Sequence, residues 1–194
     1  MKMNIYDYII IIFCLIWIIS EIILNRIKII KKSDDIKTSD NNSLAVIWIA
    51  VFLSVIVSVI FTEFLRIGNI PKYEILFTML SLLLIIFGSL IRYKAISILK
   101  KAFSVNVSVS KDQKIIKEWL YKKIRHPGYL GMLISFTGLG LSFRNIYAFF
   151  AVIIINIISL LNRICLEEKV MKEHFGNEYE NYCKDTYRLI YKVY

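Results

Sequence analysis

Five stretches of this chain are nearly free of charge: Tyr8 to Leu24, interrupted only by Glu21, then Asn41 to Thr62, Ile75 to Ile91, Tyr129 to Phe143, and Asn145 to Asn162. Each can cross or nearly cross a bilayer, which takes roughly 17 to 25 apolar residues as helix. Only Arg144 separates the last two. Read as one helix they would run about 50 Å, far beyond a hydrocarbon core, so a tight helical hairpin turning at Ser142 to Asn145 is the better reading. Glycines at 131, 138 and 140 would let its arms approach neighbours closely. With 57% hydrophobic residues and a mean hydropathy of +0.60, the chain is no ordinary soluble domain. The fold class expected is an all-α integral membrane protein forming one domain over residues 1–194. Its five transmembrane helices fall at about 5–24, 44–65, 74–93, 129–143 and 145–164, with C-terminal helices over 165–194. Lys2 before an apolar run resembles a signal peptide, but no small-residue cleavage site follows, and we read a retained first helix.

Charge then sets the orientation, because cytoplasmic loops collect Lys and Arg. Asn25 to Ser43 holds five, Arg92 to Arg125 ten and Arg163 to Tyr194 six, leaving only Lys2, Arg66, Lys72 and Arg144 elsewhere. Alternating five helices places the three rich segments on one side, so the N-terminus is expected outside and the C-terminus in the cytoplasm. That basic face suits anionic headgroups or an anionic substrate, although topology alone also demands it. Nucleic acid is not suggested, because no recognised binding module accompanies the charge. Cys14, Cys165 and Cys183 are odd in number and lack metal-ligand spacing, so neither a disulfide framework nor a metal is expected. Lys31 to Ser43, rich in Ser, Asp, Asn and Lys, reads as a solvated linker.

Chemistry is left to the two cytoplasmic segments that are too long to be plain connectors. In the first, residues 100–128, the alternation in Phe103 to Val109 suggests an extended stretch. Ile115, Ile116, Trp119 and Leu120 then recur at helical spacing among lysines, as in a piece lying on the membrane surface. Pro127 and Gly128 mark the entrance to the fourth membrane helix, where unpaired backbone N–H groups join Arg125 and His126 at the water boundary. Such a cluster can hold an anionic or polar group, or His126 and Arg125 can simply anchor the helix. In the second segment Arg163 and Glu167 stand four apart, on one helix face. They form either a surface ion pair or the lining of a polar cavity. Gly176 stops that helix, and Asn177 with Glu180 is expected to cap a short last one carrying Tyr179 and Tyr182.

With these residues in order, the chain resembles the isoprenylcysteine carboxyl methyltransferases of membranes, and more loosely the phospholipid N-methyltransferases. The family pattern is a hydrophobic pair, a tyrosine, Arg-His-Pro-x-Tyr-x-Gly, a hairpin of two membrane helices, an Arg with a Glu four residues on, and Phe-Gly-x-Glu-Tyr-x-x-Tyr. Here Ile115 and Ile116, Tyr121, Arg125 to Gly131, Arg163, Glu167 and Phe175 to Tyr182 supply it, over roughly the half of the chain from Phe103 onward. Trp119 stands where the family usually has glycine, and the proline-containing tail of many members is missing.

The resemblance implies S-adenosyl-L-methionine as cofactor, with S-adenosyl-L-homocysteine as product. By position, its contacts would be Asn106, Gln113, Lys114, Ile115, Ile116, Tyr121, His126, Pro127, Gly128, Tyr129 and Glu167. Arg163 matches the substrate-site arginine, and Arg163 with Glu167 forms the catalytic pair. The implied reaction is methyl transfer to the C-terminal carboxylate of an isoprenylated cysteine or another lipid-linked carboxylate at the cytoplasmic membrane face. Partners would be the bilayer and a lipidic acceptor. A lipid N-methyltransferase would use the same cofactor motif but should need a base for its amine. A membrane scaffold would leave the ordered Arg, His and Glu unexplained, and likeness to the steroid reductases is weaker still.

Overall fold

The computed structural model describes residues 5–29, 37–40, 42–99, 107–109 and 114–192. Its elements are α1 (Ile5–Ile29), β1 (Lys37–Asp40), α2 (Ser43–Val59), α3 (Glu74–Leu99), β2 (Val107–Val109), α4 (Pro127–Ser142), α5 (Ile146–Phe175) and α6 (Asn177–Asp185). A π-helical turn, Ile60–Leu65, extends α2, and a single 3-10 turn covers Trp119–Lys122. Helix dominates because an apolar segment can satisfy its own backbone only that way in lipid. The two short strands pair antiparallel, with Lys37 opposite Val109, tying the α1–α2 connection to the α3–α4 connection.

Four helical segments among the described residues are long and apolar enough to cross a membrane: Asp7–Leu24, Ser43–Leu65, Glu74–Leu99 and Ile146–Phe175. Large apolar side chains such as Ile12, Phe52, Leu83 and Ile158 stand exposed along their outer faces, as an integral membrane protein requires. The expected fifth span, α4, is shorter. Its 16 residues rise about 24 Å, below a hydrocarbon core of about 30 Å. It packs against α3 and α5, with Gly131, Met132, Ser135, Phe136, Gly138, Leu139 and Gly140 all buried. A Cβ on Gly131 would sit 2.5 Å from the Gly88 carbonyl oxygen, and one on Gly138 would sit 2.7 Å from that of Ser81. Missing side chains therefore let the α3 and α4 backbones touch.

Where α3 meets α4 the core gathers Ile85, Met132, Phe136 and Leu139, joined by Trp17 of α1, Ile47 and Val51 of α2, and Val152 and Leu160 of α5. Trp17 meets Phe136 edge to face at 5.9 Å. Between α2 and α5 the contact is polar: Asn156 donates to Ser54 Oγ at 3.0 Å, both fully buried.

The hairpin turns through Phe143 to Asn145, inside the stretch expected to turn. Asn145 caps α5 by accepting the Ala148 N–H at 2.9 Å, and it donates to the Ile67 carbonyl and Asn69 Oδ1. Arg144, in the left-handed region at φ 50°, pairs with Asp7 of α1 and with Glu74 of α3 at 3.0 Å. At the other end α5 runs unbroken to Phe175, well past the point near 164 where its apolar pattern ends. Gly176, at φ 52°, separates α5 from α6. No side chain caps α6, so the cap expected from Asn177 and Glu180 does not form.

Candidate active site at the entrance to α4

Sequence expects a surface helix through Ile115 to Leu120, and the structure departs from that. Lys114 to Glu118 is irregular, and only the 3-10 turn at Trp119 follows. The physical reason is the backbone of Trp119, whose φ of 51° interrupts any right-handed helix there. Glycine is the residue that adopts this conformation without cost, so the turn persists here with a bulky side chain in its place. The Trp119 indole lies against Lys94 Nζ, 5.0 Å from the ring centre, which offsets part of the strain.

That turn delivers Tyr121 and then the Arg125–His126–Pro127 segment to the start of α4. Tyr121 is buried, with its hydroxyl 3.4 Å from the Ala95 carbonyl oxygen, and its own carbonyl accepts from the Tyr182 hydroxyl at 2.7 Å. Burial, then the Glu167 carboxylate, push the Tyr121 phenol above its ordinary range, while Arg92 pulls the other way. Tyr121 is therefore a neutral phenol at physiological pH.

The chain's last described segment clamps this region from outside. Arg125 N–H donates to the Tyr187 carbonyl at 2.8 Å, His126 N–H to the Arg188 carbonyl at 3.1 Å, and Tyr187 N–H returns to Lys123 at 2.9 Å. Arg125 is consumed by the same task. Its guanidinium holds Glu168 at 2.9 Å and the carbonyls of Cys183 and Thr186, while Glu168 also takes Arg188 at 2.9 Å.

His126 stands at the N-cap of α4, with its ring stacked on Tyr129 at 5.7 Å between centroids. Its Nδ1 lies 3.6 Å from Glu167 Oε2 and its Nε2 3.4 Å from Glu168 Oε1. Neither approach is a short, well-aligned bond, and Nε2 is buried without a hydrogen-bond partner. The Tyr129 hydroxyl donates to Glu167, and Arg163 Nε donates both to that hydroxyl at 3.1 Å and to Glu167 at 3.2 Å. Arg163 Nη1 reaches Ser43 Oγ at the start of α2. Arg163 is only 3% exposed, which removes the surface-bridge reading of the pair.

Of the sequence-derived candidates, Tyr121, His126, Pro127, Gly128, Tyr129, Arg163 and Glu167 thus converge at one end of the bundle. Ile115 and Ile116 lie half-buried and Lys114 exposed in the segment leading to them, and Asn106 and Gln113 fall outside the described residues. The model of the isoprenylcysteine carboxyl methyltransferase family matches residues 79–173, a span that starts in α3, includes every one of the converging residues and ends in α5. Over this span the chain is similar to that family.

Two rice proteins, from Oryza sativa subsp. indica and subsp. japonica, each called "Probable protein-S-isoprenylcysteine O-methyltransferase", are 27% identical over 128 residues, 65% of this chain and 66% of theirs. "Protein-S-isoprenylcysteine O-methyltransferase B" of Arabidopsis thaliana is 29% identical over 105 residues, 53% of each chain. The chain therefore spans just under two thirds of the rice relatives' length and about half of the Arabidopsis one.

Sequence reasoning missed several groups that build the site. Glu168 follows Glu167 by one residue and so faces about 100° away around α5, toward the C-terminal clamp. Ser43 carries no signal, being one serine in a polar linker. Arg92 was counted with the loop cations, yet it lies within α3, buried, with its Nε 2.8 and 2.7 Å from the two oxygens of Glu21 on α1. Glu21 could have betrayed this partner, because a lone acid in an apolar helix needs a cation.

Proposed function

We propose that this protein transfers a methyl group from S-adenosylmethionine to the carboxylate of a lipid-linked cysteine at the cytoplasmic membrane surface. One observation carries the reading beside the family likeness: a buried arginine, Arg163, shares Tyr129 and Glu167 with the histidine at the α4 entrance. The residues present suit the cofactor. Buried His126 Nε2 lacks a hydrogen-bond partner, and the Glu167 carboxylate beside the Tyr129 ring suits a sulfonium cation. His126, Pro127, Gly128, Tyr129, Tyr121, Lys114, Ile115, Ile116 and Glu167, with Asn106 and Gln113, would hold it. When bound, it supplies an electrophilic methyl group.

The protein's own part is positioning. An α-carboxylate has a reference pKa near 3.5 and is ionised at neutral pH, so no general base is needed. Arg163 has its Nε and Nη1 fixed by Tyr129, Glu167 and Ser43, which orients the guanidinium plane for charge-assisted bonds to an incoming carboxylate. Ser43 is a neutral partner that an anion displaces. Burial among helix ends strips water from the nucleophile and limits hydrolysis. In this reading the bundle spans the bilayer five times, with α4 as the short fifth crossing. The N-terminus then lies outside, with residues 92–128 and 163–194 in the cytoplasm. Cysteines placed at Ser39 and Lys111 should resist labelling from outside intact cells, and ready labelling would reverse the orientation.

The deciding experiment gives purified protein labelled S-adenosylmethionine with a prenylated cysteine analogue or with phosphatidylethanolamine, followed by alkali. Volatile methanol from the first acceptor is expected, since only a methyl ester releases it. Label retained on the phospholipid would instead assign N-methylation.

A further inference from the structure

We infer that Glu168 is a positioning residue for His126: from α5 it holds the two arginines that bracket the His126 backbone and stands against one edge of the ring, so that the histidine meets its ligand already oriented. The inference deepens the methyltransferase reading above and rests on it. Glu168 is only 4% exposed. Its Oε1 accepts from Arg125 Nε at 2.9 Å and lies 3.4 Å from His126 Nε2, while its Oε2 is 2.9 Å from Arg188 Nε. Arg125 precedes His126 in the chain, and the Arg188 carbonyl accepts the His126 N–H. One carboxylate thus grips both sides of the histidine's main chain and also approaches its side chain.

Stability alone does not account for a carboxylate here. Taking an acid and the buried Arg125 out of water costs several kcal/mol per ion, and apolar side chains of similar size often serve a fold as well. An apolar residue at 168 could fill the space, but it could not set where Arg125 and Arg188 point. The ring of His126 shows what that geometry controls. Its Nδ1 edge faces Glu167 at 3.6 Å, its Nε2 edge faces Glu168 at 3.4 Å, and the ring stacks on Tyr129. Glu167 is bonded to Tyr129 and Arg163, whereas Glu168 looks to the C-terminal strap. Adjacent residues on one helix therefore take separate tasks: Glu167 lines the site, and Glu168 ties the histidine to α5 and the strap. At 3.4 Å Glu168 steers the ring by charge without saturating Nε2, whose hydrogen-bonding capacity stays available to a ligand.

The test is a double-mutant cycle on S-adenosylhomocysteine affinity, by calorimetry on the full chain in detergent. Glu168→Gln should weaken binding about fivefold, as His126→Ala does, because it acts through the same imidazole. Glu168→Gln/His126→Ala should then bind within about twofold of His126→Ala alone, since residues that act as one unit do not add. A residue that merely stabilises the fold would lower the unfolding midpoint and leave the affinity of folded molecules unchanged, or lower that affinity equally with and without His126. Either result would overturn the positioning role. Arg188→Gln, at a side chain 36% exposed, runs the same cycle with little strain on folding, and its loss of about threefold should likewise vanish without His126. A readout without ligand uses the two histidines of the chain, His126 and His174. The ring-to-ring nuclear Overhauser contact between His126 and Tyr129 should weaken in Glu168→Gln, and its persistence at full strength would also overturn the role. Failure of wild-type protein to bind S-adenosylhomocysteine would overturn the methyltransferase reading instead, leaving the ring contact to judge Glu168.

Discussion

Both ends of the helix bundle bury an arginine among acids, and they use it differently. At the hairpin end, one arginine meets two carboxylates: Arg144 is held by Asp7 and Glu74. At the α4 entrance the described ion pairs join four arginines, Arg92, Arg125, Arg163 and Arg188, to three acids, Glu21, Glu167 and Glu168. The first end is a clasp over a turn. The second gathers its arginines and acids around a buried imidazole nitrogen that has no hydrogen-bond partner. A buried ionic cluster is therefore not in itself a sign of function; what sets the second end apart is a titratable imidazole beside a buried guanidinium and two carboxylates.

The sharpest break of this contrast is Arg163→Ala, which should lower turnover by about 10²- to 10³-fold, the usual loss on removing a donor aimed at reacting charge. Affinity for S-adenosylhomocysteine should stay within about threefold, and Arg163→Lys should not fully rescue, because an ammonium lacks the planar fork. Near-normal turnover in Arg163→Ala would reduce the site to a second clasp.

Arg144→Ala should do the reverse. Stranding Asp7 and Glu74 should cost about 3 kcal/mol of stability, read as a lowered midpoint of unfolding in detergent. Turnover per folded molecule should be unchanged, and a large kinetic defect would mean that the two ends communicate. A smaller effect is expected for His126→Ala: about fivefold weaker S-adenosylhomocysteine binding in a folded protein, since one hydrogen bond to a neutral group is worth about 1 kcal/mol. Undiminished affinity would make His126 an anchor of the α4 N-terminus only. The least change should follow Trp119→Gly. Release of left-handed strain, about 1 to 2 kcal/mol, is offset by loss of the Lys94 contact and by chain entropy, so the melting temperature should move by only a few degrees. Trp119→Val should destabilise clearly, as a branched residue resists that backbone.

Charge-free runs gave away the long helices, because each of those segments meets lipid on its outer face. α4 was legible as a helix but not in its setting: its glycines announced close packing without saying that α3 would be the neighbour. Arg163 and Glu167 were legible because four residues along one helix fix their proximity. Arg92 and Glu21, 71 residues apart, were not, since only tertiary packing joins them. Helical spacing misled at Ile115 to Leu120, where a single backbone angle at Trp119 outweighs the pattern.

The strap of Tyr187 and Arg188 across Arg125 and His126 has a consequence for the order of manufacture. Chains emerge from the ribosome N-terminus first, and domains fold as their parts arrive. Ser43, which touches Arg163, is among the earlier parts, yet the backbone partners of His126 are made more than 140 residues later. The helices before α4 are therefore made long before the α4 entrance can be braced. A protein truncated just short of Tyr187 would keep the sequence of every helix and leave the backbone N–H of His126 without its partner.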